Sequence, residues 1–280
     1  MTEIMLVAVI IPVYKKTLGV SEEQSFLQCL RVLGNYPLRM VLPYGLNTDY
    51  YEKHLHENSI ADFRFDYFDE GFFKNVNAYS RLLLNESFYK RYIEFEYIFI
   101  YQLDGYVFKD ELKEWCSKGY EYLGAPWFKS YGIHKKGNDL YRVGNGGMSL
   151  RKVAAFLSLF DRQMPFPIYF FMVKNIRKRG FIKMSLKTIK LFFVLLLCKI
   201  TVADFITDYL DERINEDCFW ADGLSDTSLG LHKPELLEAA RFCIEKSPAY
   251  LYNLIGKELP FACHAYEKYE YDSFWKQFIS

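Results

Sequence analysis

The stretch "MLVAVIIPVY", residues 5–14, constrains this chain more than any other. It is apolar without alternation and ends at Pro12 and a turn. A strand with one wet face alternates polar and apolar residues. A continuous run is buried on both faces, which belongs to a parallel sheet covered by helices. "YEYIFIYQLD" delivers a second such run at about residue 97. Between them, "YPLRMVLPYGL" and "DFRFDYF" (62–68) read as two further strands. "SEEQSFLQCLRVLG" carries Phe26, Leu27, Leu30 and Leu33 at helical spacing, with Ser21 placed to cap and Gln24 three residues on. "NVNAYSRLLLNESFYKRY" (75–92) reads as helix. Strand and helix thus alternate over the first 110 residues, which predicts a doubly wound, mainly parallel α/β sheet flanked by helices.

Sheets of this kind collect ligands beyond the carboxyl ends of their strands. "YIFIYQLDGYVF" (97–108) sets Asp104 at such an end. A carboxylate there is a hard-oxygen ligand for Mg²⁺ or Mn²⁺, or equally a turn former. "VGNGGMSLRKV" (143–153) reads as a glycine turn opening a helix at Leu150 and Arg151, with Ser149 as its cap. Gly144, Gly146 and Gly147 allow close backbone approach, and N–H groups at that helix start, with Arg151, suit a diphosphate. In "INEDCFW" (214–220), Glu216 and Asp217 lie amid apolar residues at a helix start. Partial burial raises a carboxyl pKa and makes a general base, although acids also favour a helix N-terminus electrostatically. His264, in "PFACHAYEKY" (260–269), is suited to a metal, a phosphate or a structural role.

The rest of the chain narrows the class. Lys and Arg number 35 against 35 Asp and Glu, so overall charge gives no case for nucleic acid. Six scattered Cys without a C-x-x-C pair argue against a zinc cluster or a disulfide framework, and reduced thiols suit a cytoplasmic enzyme. The N-terminus lacks a basic region and a cleavage site, so it reads as a first strand and not as a signal peptide. Aromatics make up 19% of the chain, enough to present flat surfaces to sugars or bases or simply to fill a core. Residues 174–190 contain seven Lys or Arg and no acid, and "LFFVLLLCKI" follows. That apolar run is about half the ~20 residues needed to span a bilayer. It suits a membrane interface, with 174–200 resting on the inner face of the membrane, a buried helix with a basic face, or binding of an anionic acceptor. One domain over 1–280 is expected, with a donor-binding half (1–110), a catalytic half (111–280) and a basic, apolar helical insert at about 160–205.

Taken jointly, "IIPVYK", "FDEGFF", "YIFIYQLDGYVF", "YLGAPW", "VGNGGMSLRKV", "NEDCFW" and "LPFACHAYEKY" resemble blocks of the GT-A nucleotide-sugar glycosyltransferases. They are more closely similar to a bacterial group catalogued as a domain of unknown function, DUF5672. The blocks run from residue 9 to 269, with about 160–205 unmatched. The resemblance implies a Rossmann-related GT-A fold and an Mn²⁺- or Mg²⁺-dependent transfer of sugar from a nucleotide donor, UDP being the expected nucleotide. It also implies an acceptor hydroxyl on a cell-surface glycan, glycolipid or glycoprotein. By the same resemblance, Pro12, Val13 and Tyr14 cradle the nucleobase and Arg81 lies near the diphosphate. Gln102-Leu103-Asp104 stands for the D-x-D motif with its first acid replaced, and Gly146 and Gly147 border the donor. Asp104 holds the metal, His264 completes the metal or the diphosphate site, and Asp217 with Glu216 supplies the base. A nucleotidyltransferase and a non-catalytic carbohydrate- or nucleotide-binding module are the competing classes. The first usually carries a glycine-rich basic signature after its first strand, where this chain reads "PVYKKTLGVSEE".

Overall fold

The computed structural model describes residues 4–129, 139–178 and 186–279. The centre of the basic stretch, 179–185, lies outside these. The elements in order are β1 Met5–Pro12, α1 Val20–Leu33, β2 Leu38–Pro43, α2 Asp49–Glu57, β3 Phe63–Phe68, α3 Val76–Leu83, α4 Glu86–Lys90 and β4 Phe95–Tyr101. Then come β5 Tyr106–Val107, α5 Leu112–Ser117, β6 Tyr122–Leu123, β7 Pro126–Phe128, β8 Leu140–Val143, β9 Met148–Lys152 and α6 Val153–Phe160. The chain continues through α7 Ile168–Lys178, α8 Leu186–Leu197, α9 Val202–Asp208, α10 Leu236–Phe242, β10 Cys243–Ile244, α11 Pro248–Leu254 and β11 Ala262–Cys263.

Six strands form the central sheet in the order β3-β2-β1-β4-β9-β6. β1 runs parallel to β2 and β4, and β2 parallel to β3. β9 runs against both β4 and β6. The apolar runs are explained by this placement. In β1, Ala8 and Ile10 enter the core on one face of the sheet, and Val7, Val9 and Ile11 enter that on the other. Each fully buried Val, Ile or Phe contributes roughly 1.5–3 kcal/mol relative to exposure. The expected mixed, mainly parallel sheet flanked by helices is the fold observed, and β9 joins chain beyond residue 111 to the strands before 110.

Three local expectations are corrected. Residues 148–152 are a strand and not a helix start. Met148 and Leu150 pack on one face of the sheet while Ser149 and Arg151 are buried on the other, and the segment pairs with β4 from Tyr101↔Met148 to Tyr97↔Lys152. The helix begins only at Val153. Residues 75–92 form two helices. α3 ends at Leu83 with Leu84 as its C-cap, and the Asn85 side chain accepts from the Ser87 N–H at 2.9 Å to start α4 afresh. α1 is capped by Gly19, whose N–H donates to Glu22 at 3.1 Å, while Ser21 lies inside the helix.

Candidate functional site

β1 and β4 are neighbours, so their carboxyl ends open on one crevice. A cavity of about 380 Å³ lies there. It is lined by Pro12, Val13 and Tyr14 from the end of β1, by Gln102, Leu103 and Asp104 after β4, and by Tyr79 from α3. Val13 is held by its N–H to the Val41 carbonyl at 2.8 Å, while the Tyr14 ring is 56% exposed and available for stacking. Lys15 is engaged with Glu22 at 2.6 Å.

Asp104 sits in the turn that follows β4, its side chain 53% exposed. His264 follows directly on β11 and brings Nε2 to 3.2 Å from Asp104 Oδ1. Burial alone would raise the Asp104 pKa, but the His264 imidazole outweighs it and holds the carboxyl below its ordinary range. Burial likewise opposes charge on His264, and Asp104 overcomes it, so the imidazole pKa is raised. Nε2 is buried against Gly147 and approaches Asp104 without the alignment of a true hydrogen bond.

The glycine loop closes the corner from behind. Gln102 N–H donates to the Gly147 carbonyl at 2.9 Å. A methyl group on Gly147 would lie 2.2 Å from His264 Nε2 and 2.6 Å from Gln102 Oε1. Glycine is therefore required by close approach. Asn145, at φ +83°, accepts the Gly147 N–H on Oδ1 at 2.9 Å. That bond identifies the amide oxygen, so the Asn145 NH₂ is the group 3.1 Å from His264 Nδ1. An NH₂ can only donate, and Nδ1 therefore accepts, which puts the neutral ring's proton on Nε2. Ala265, at φ +50°, holds a second uncommon backbone conformation beside His264.

This network tests the metal expectation. Asp104 is an accessible hard-oxygen ligand and fits Mn²⁺ or Mg²⁺. His264 presents N–H and not a lone pair, which does not fit a second metal ligand and leaves the diphosphate role that the resemblance also allows. Among the described residues, no group of three or more His, Cys, Asp or Glu is placed to hold a metal by itself. Any cation at Asp104 would be shared with oxygens of the bound molecule.

The two adjacent acids separate. Glu216 is buried and pairs with fully buried Arg151 at 2.7 Å, below Gly146, where a methyl would lie 2.4 Å from its Oε1. Arg151 also donates to Tyr89 OH, Ser149 Oγ and the Gly146 carbonyl. Both residues are thus internal supports of the glycine loop, a correction to the catalytic role expected of Glu216 and the anion-binding role expected of Arg151. Asp217 is partly buried, and its Oδ1 accepts from the Cys218 N–H at 2.7 Å. Burial, then the Glu216 charge beside it, pushes its pKa to about 7. It begins the π-helical turn Cys218–Gly223, a distortion common at functional sites. Its charge and that of Glu245 both act on His264.

Arg81 is not brought to this corner. Its guanidinium donates to the carbonyls of Leu210 at 3.1 Å and Ile206 at 3.5 Å, and it lines a separate open groove of about 850 Å³ with Asp208 and Asp211. Sequence reasoning missed Asn145, Tyr79 and Glu245. Asn145 could have been found, since a residue between glycines in "GNGG" is placed for a left-handed turn. Tyr79 and Glu245 carry no local signal.

Fold and site together define a doubly wound α/β protein with a ligand crevice at the carboxyl edge of its parallel strands. More particularly, the chain belongs to the family described as "Protein of unknown function (DUF5672)", whose model matches residues 62–264. No curated protein matches it. Solved structures similar to it include mouse xyloside xylosyltransferase 1, 8% identical over 91% of this chain and 96% of that one, with a TM-score of 0.47. The glycosyltransferase GlyE of Streptococcus pneumoniae TIGR4 is 10% identical over 93% of this chain and 54% of its own, at 0.43. The inositol-1-phosphate CTP transferase of T. maritima is 12% identical over 56% and 74%, at 0.35.

Proposed function

We propose that this protein is a GT-A glycosyltransferase that moves a sugar from a nucleoside-diphosphate donor, UDP-sugar being the first choice, to an acceptor hydroxyl. One observation carries the reading: the β1 and β4 ends, Asp104 and the Gly147–His264 corner converge at one crevice of nucleotide dimensions. Tyr14 would stack on the base. A divalent cation on Asp104 would neutralise diphosphate charge as the glycosidic bond breaks. His264 Nε2–H would donate to a diphosphate oxygen, stabilising the same developing charge. The acceptor oxygen attacks the anomeric carbon, the bond to the diphosphate breaks, and the hydroxyl proton passes to Asp217. A carboxylate with a pKa of about 7 is matched to that task.

Two features weigh against the nucleotidyltransferase reading. The loop after β1 has no glycine-rich basic signature, and its Lys15 is held by Glu22. The test is a thermal-shift screen with UDP-, GDP-, dTDP- and CMP-sugars in Mn²⁺, repeated on Asp104→Ala. Stabilisation by one nucleotide, dependent on metal and lost in the variant, supports the reading. No shift at millimolar ligand overturns the donor site and favours a non-catalytic module.

A further inference from the structure

Helices α7 and α8 show an apolar face that the crevice does not use. Its inner side is ordinary core: Ile168, Phe171 and Met172 from α7, and Leu191 and Leu195 from α8, are buried. Its outer side carries Ile189, Phe193, Leu196 and Leu197 at 39%, 53%, 59% and 75% exposure, with Phe170 of α7 at 64%. Positions 189, 193, 196 and 197 are spaced i, i+4, i+7 and i+8, so they form one stripe along α8. A buried helix with a solvated basic face was one alternative that the sequence left open; the described outer face of α8 is mainly apolar instead. Large apolar side chains held in water on one face mark a binding surface.

The charge around the stripe selects its occupant. Between Asp161 and Asp204 the sequence holds nine Lys or Arg and no acid, in a chain whose total charge is zero. Lys174 in α7, Lys190 in α8 and Lys199 just beyond α8 are exposed. Two copies meeting through this face would set like charges against each other. An anionic bilayer satisfies both features, because apolar side chains enter the acyl boundary while lysines reach the headgroups. No helix among the described residues is long and apolar enough to cross a membrane. We propose that α8, with Phe170 of α7, lies flat on an anionic lipid surface.

The placement has a consequence for the acceptor. A methyl on Gly223 would meet Phe171 at 3.2 Å and Ile168 at 3.4 Å, so the inner face of α7 rests on the π-helical turn that Asp217 begins. The lipid-facing layer is thus one helix away from the proposed base, which suits an acceptor carried on lipid. This last step rests on the glycosyltransferase reading; the membrane contact does not.

The test is sedimentation of the full chain with phosphatidylcholine vesicles, with and without phosphatidylglycerol. The expected result is binding only with phosphatidylglycerol, weakened by salt. Phe193→Glu with Leu197→Glu should cut the partition coefficient by about tenfold or more, and Lys190→Glu with Lys199→Glu should lower it at low salt. These side chains are exposed, and thermal melts unchanged from wild type would show that the variants fold. Lack of binding to anionic vesicles, equal binding without phosphatidylglycerol, or a dimer in light scattering that Phe193→Glu with Leu197→Glu dissociates, overturns the proposal. Nucleotide thermal shifts on the same samples report the donor site separately, so either reading can fail alone.

Discussion

Glu216 and Asp217 are adjacent in the chain and opposite in circumstance. The Glu216 carboxylate lies 2.7 Å from the buried Arg151 guanidinium, whereas Asp217 accepts a backbone N–H and has its pKa pushed to about 7. The helical start turns the two side chains to different faces, so a sequence pair becomes one support and one titrating acid.

Glu216→Ala should therefore be a stability lesion. It strands a fully buried guanidinium, which costs about 3–5 kcal/mol. Urea unfolding should show the loss in the midpoint. A variant as stable as wild type, yet inactive, would return Glu216 to catalysis.

Asp217→Asn should keep the fold and nucleotide binding while turnover falls by about 10²–10⁴. In the wild type, turnover should rise with pH through about 7, as the carboxyl gives up its proton. Stability runs the other way. The folded pKa lies above the ordinary 3.8, so the contribution of neutral Asp217 is full below 3.8 and is lost as pH rises to about 7. Thermal melts across that window should fall for the wild type relative to Asp217→Asn. Parallel curves would contradict the raised pKa.

Gly147→Ala should damage the donor corner without unfolding the protein. The added methyl displaces His264 Nε2 or Gln102 Oε1, and the φ of Gly147 is not positive, so the backbone itself tolerates alanine. Isothermal titration with the stabilising nucleotide should show an affinity loss of about tenfold or more. Unchanged affinity would mean that the bound molecule does not reach this corner.

His264→Gln should retain part of the donor affinity that His264→Ala loses, because glutamine keeps an N–H donor. Mn²⁺ affinity, followed by electron paramagnetic resonance, should be unchanged in His264→Gln and lost in Asp104→Ala. Chelation should abolish the nucleotide-induced shift in the wild type. Loss of Mn²⁺ binding in His264→Gln would make the imidazole a metal ligand and overturn the tautomer derived from Asn145.

The central sheet was legible because burial leaves a mark on the chain. β1 and β4 must exclude water from both faces, and their unbroken apolar runs say so without a partner in view. The end of such a strand is also visible, which is why Asp104 could be placed at the crevice mouth. Residues 148–152 were misread because a glycine turn followed by Ser149 suits a helix cap as well as a strand entry. Pairing with β4, some fifty residues earlier, decided between them.

The sequence by itself thus determined the alternation of strand and helix, the parallel sheet and the residue types available at its carboxyl edge. Local periodicity and side-chain chemistry suffice for those. Tertiary structure alone decided that Arg151 neutralises Glu216 and leaves Asp217 to titrate, that Arg81 serves another groove, and that Asn145 sets the His264 proton. Each depends on groups 65 to 129 residues apart in the chain. Electrostatic and hydrogen-bonding roles are set by distance in space, which no spacing along a sequence encodes.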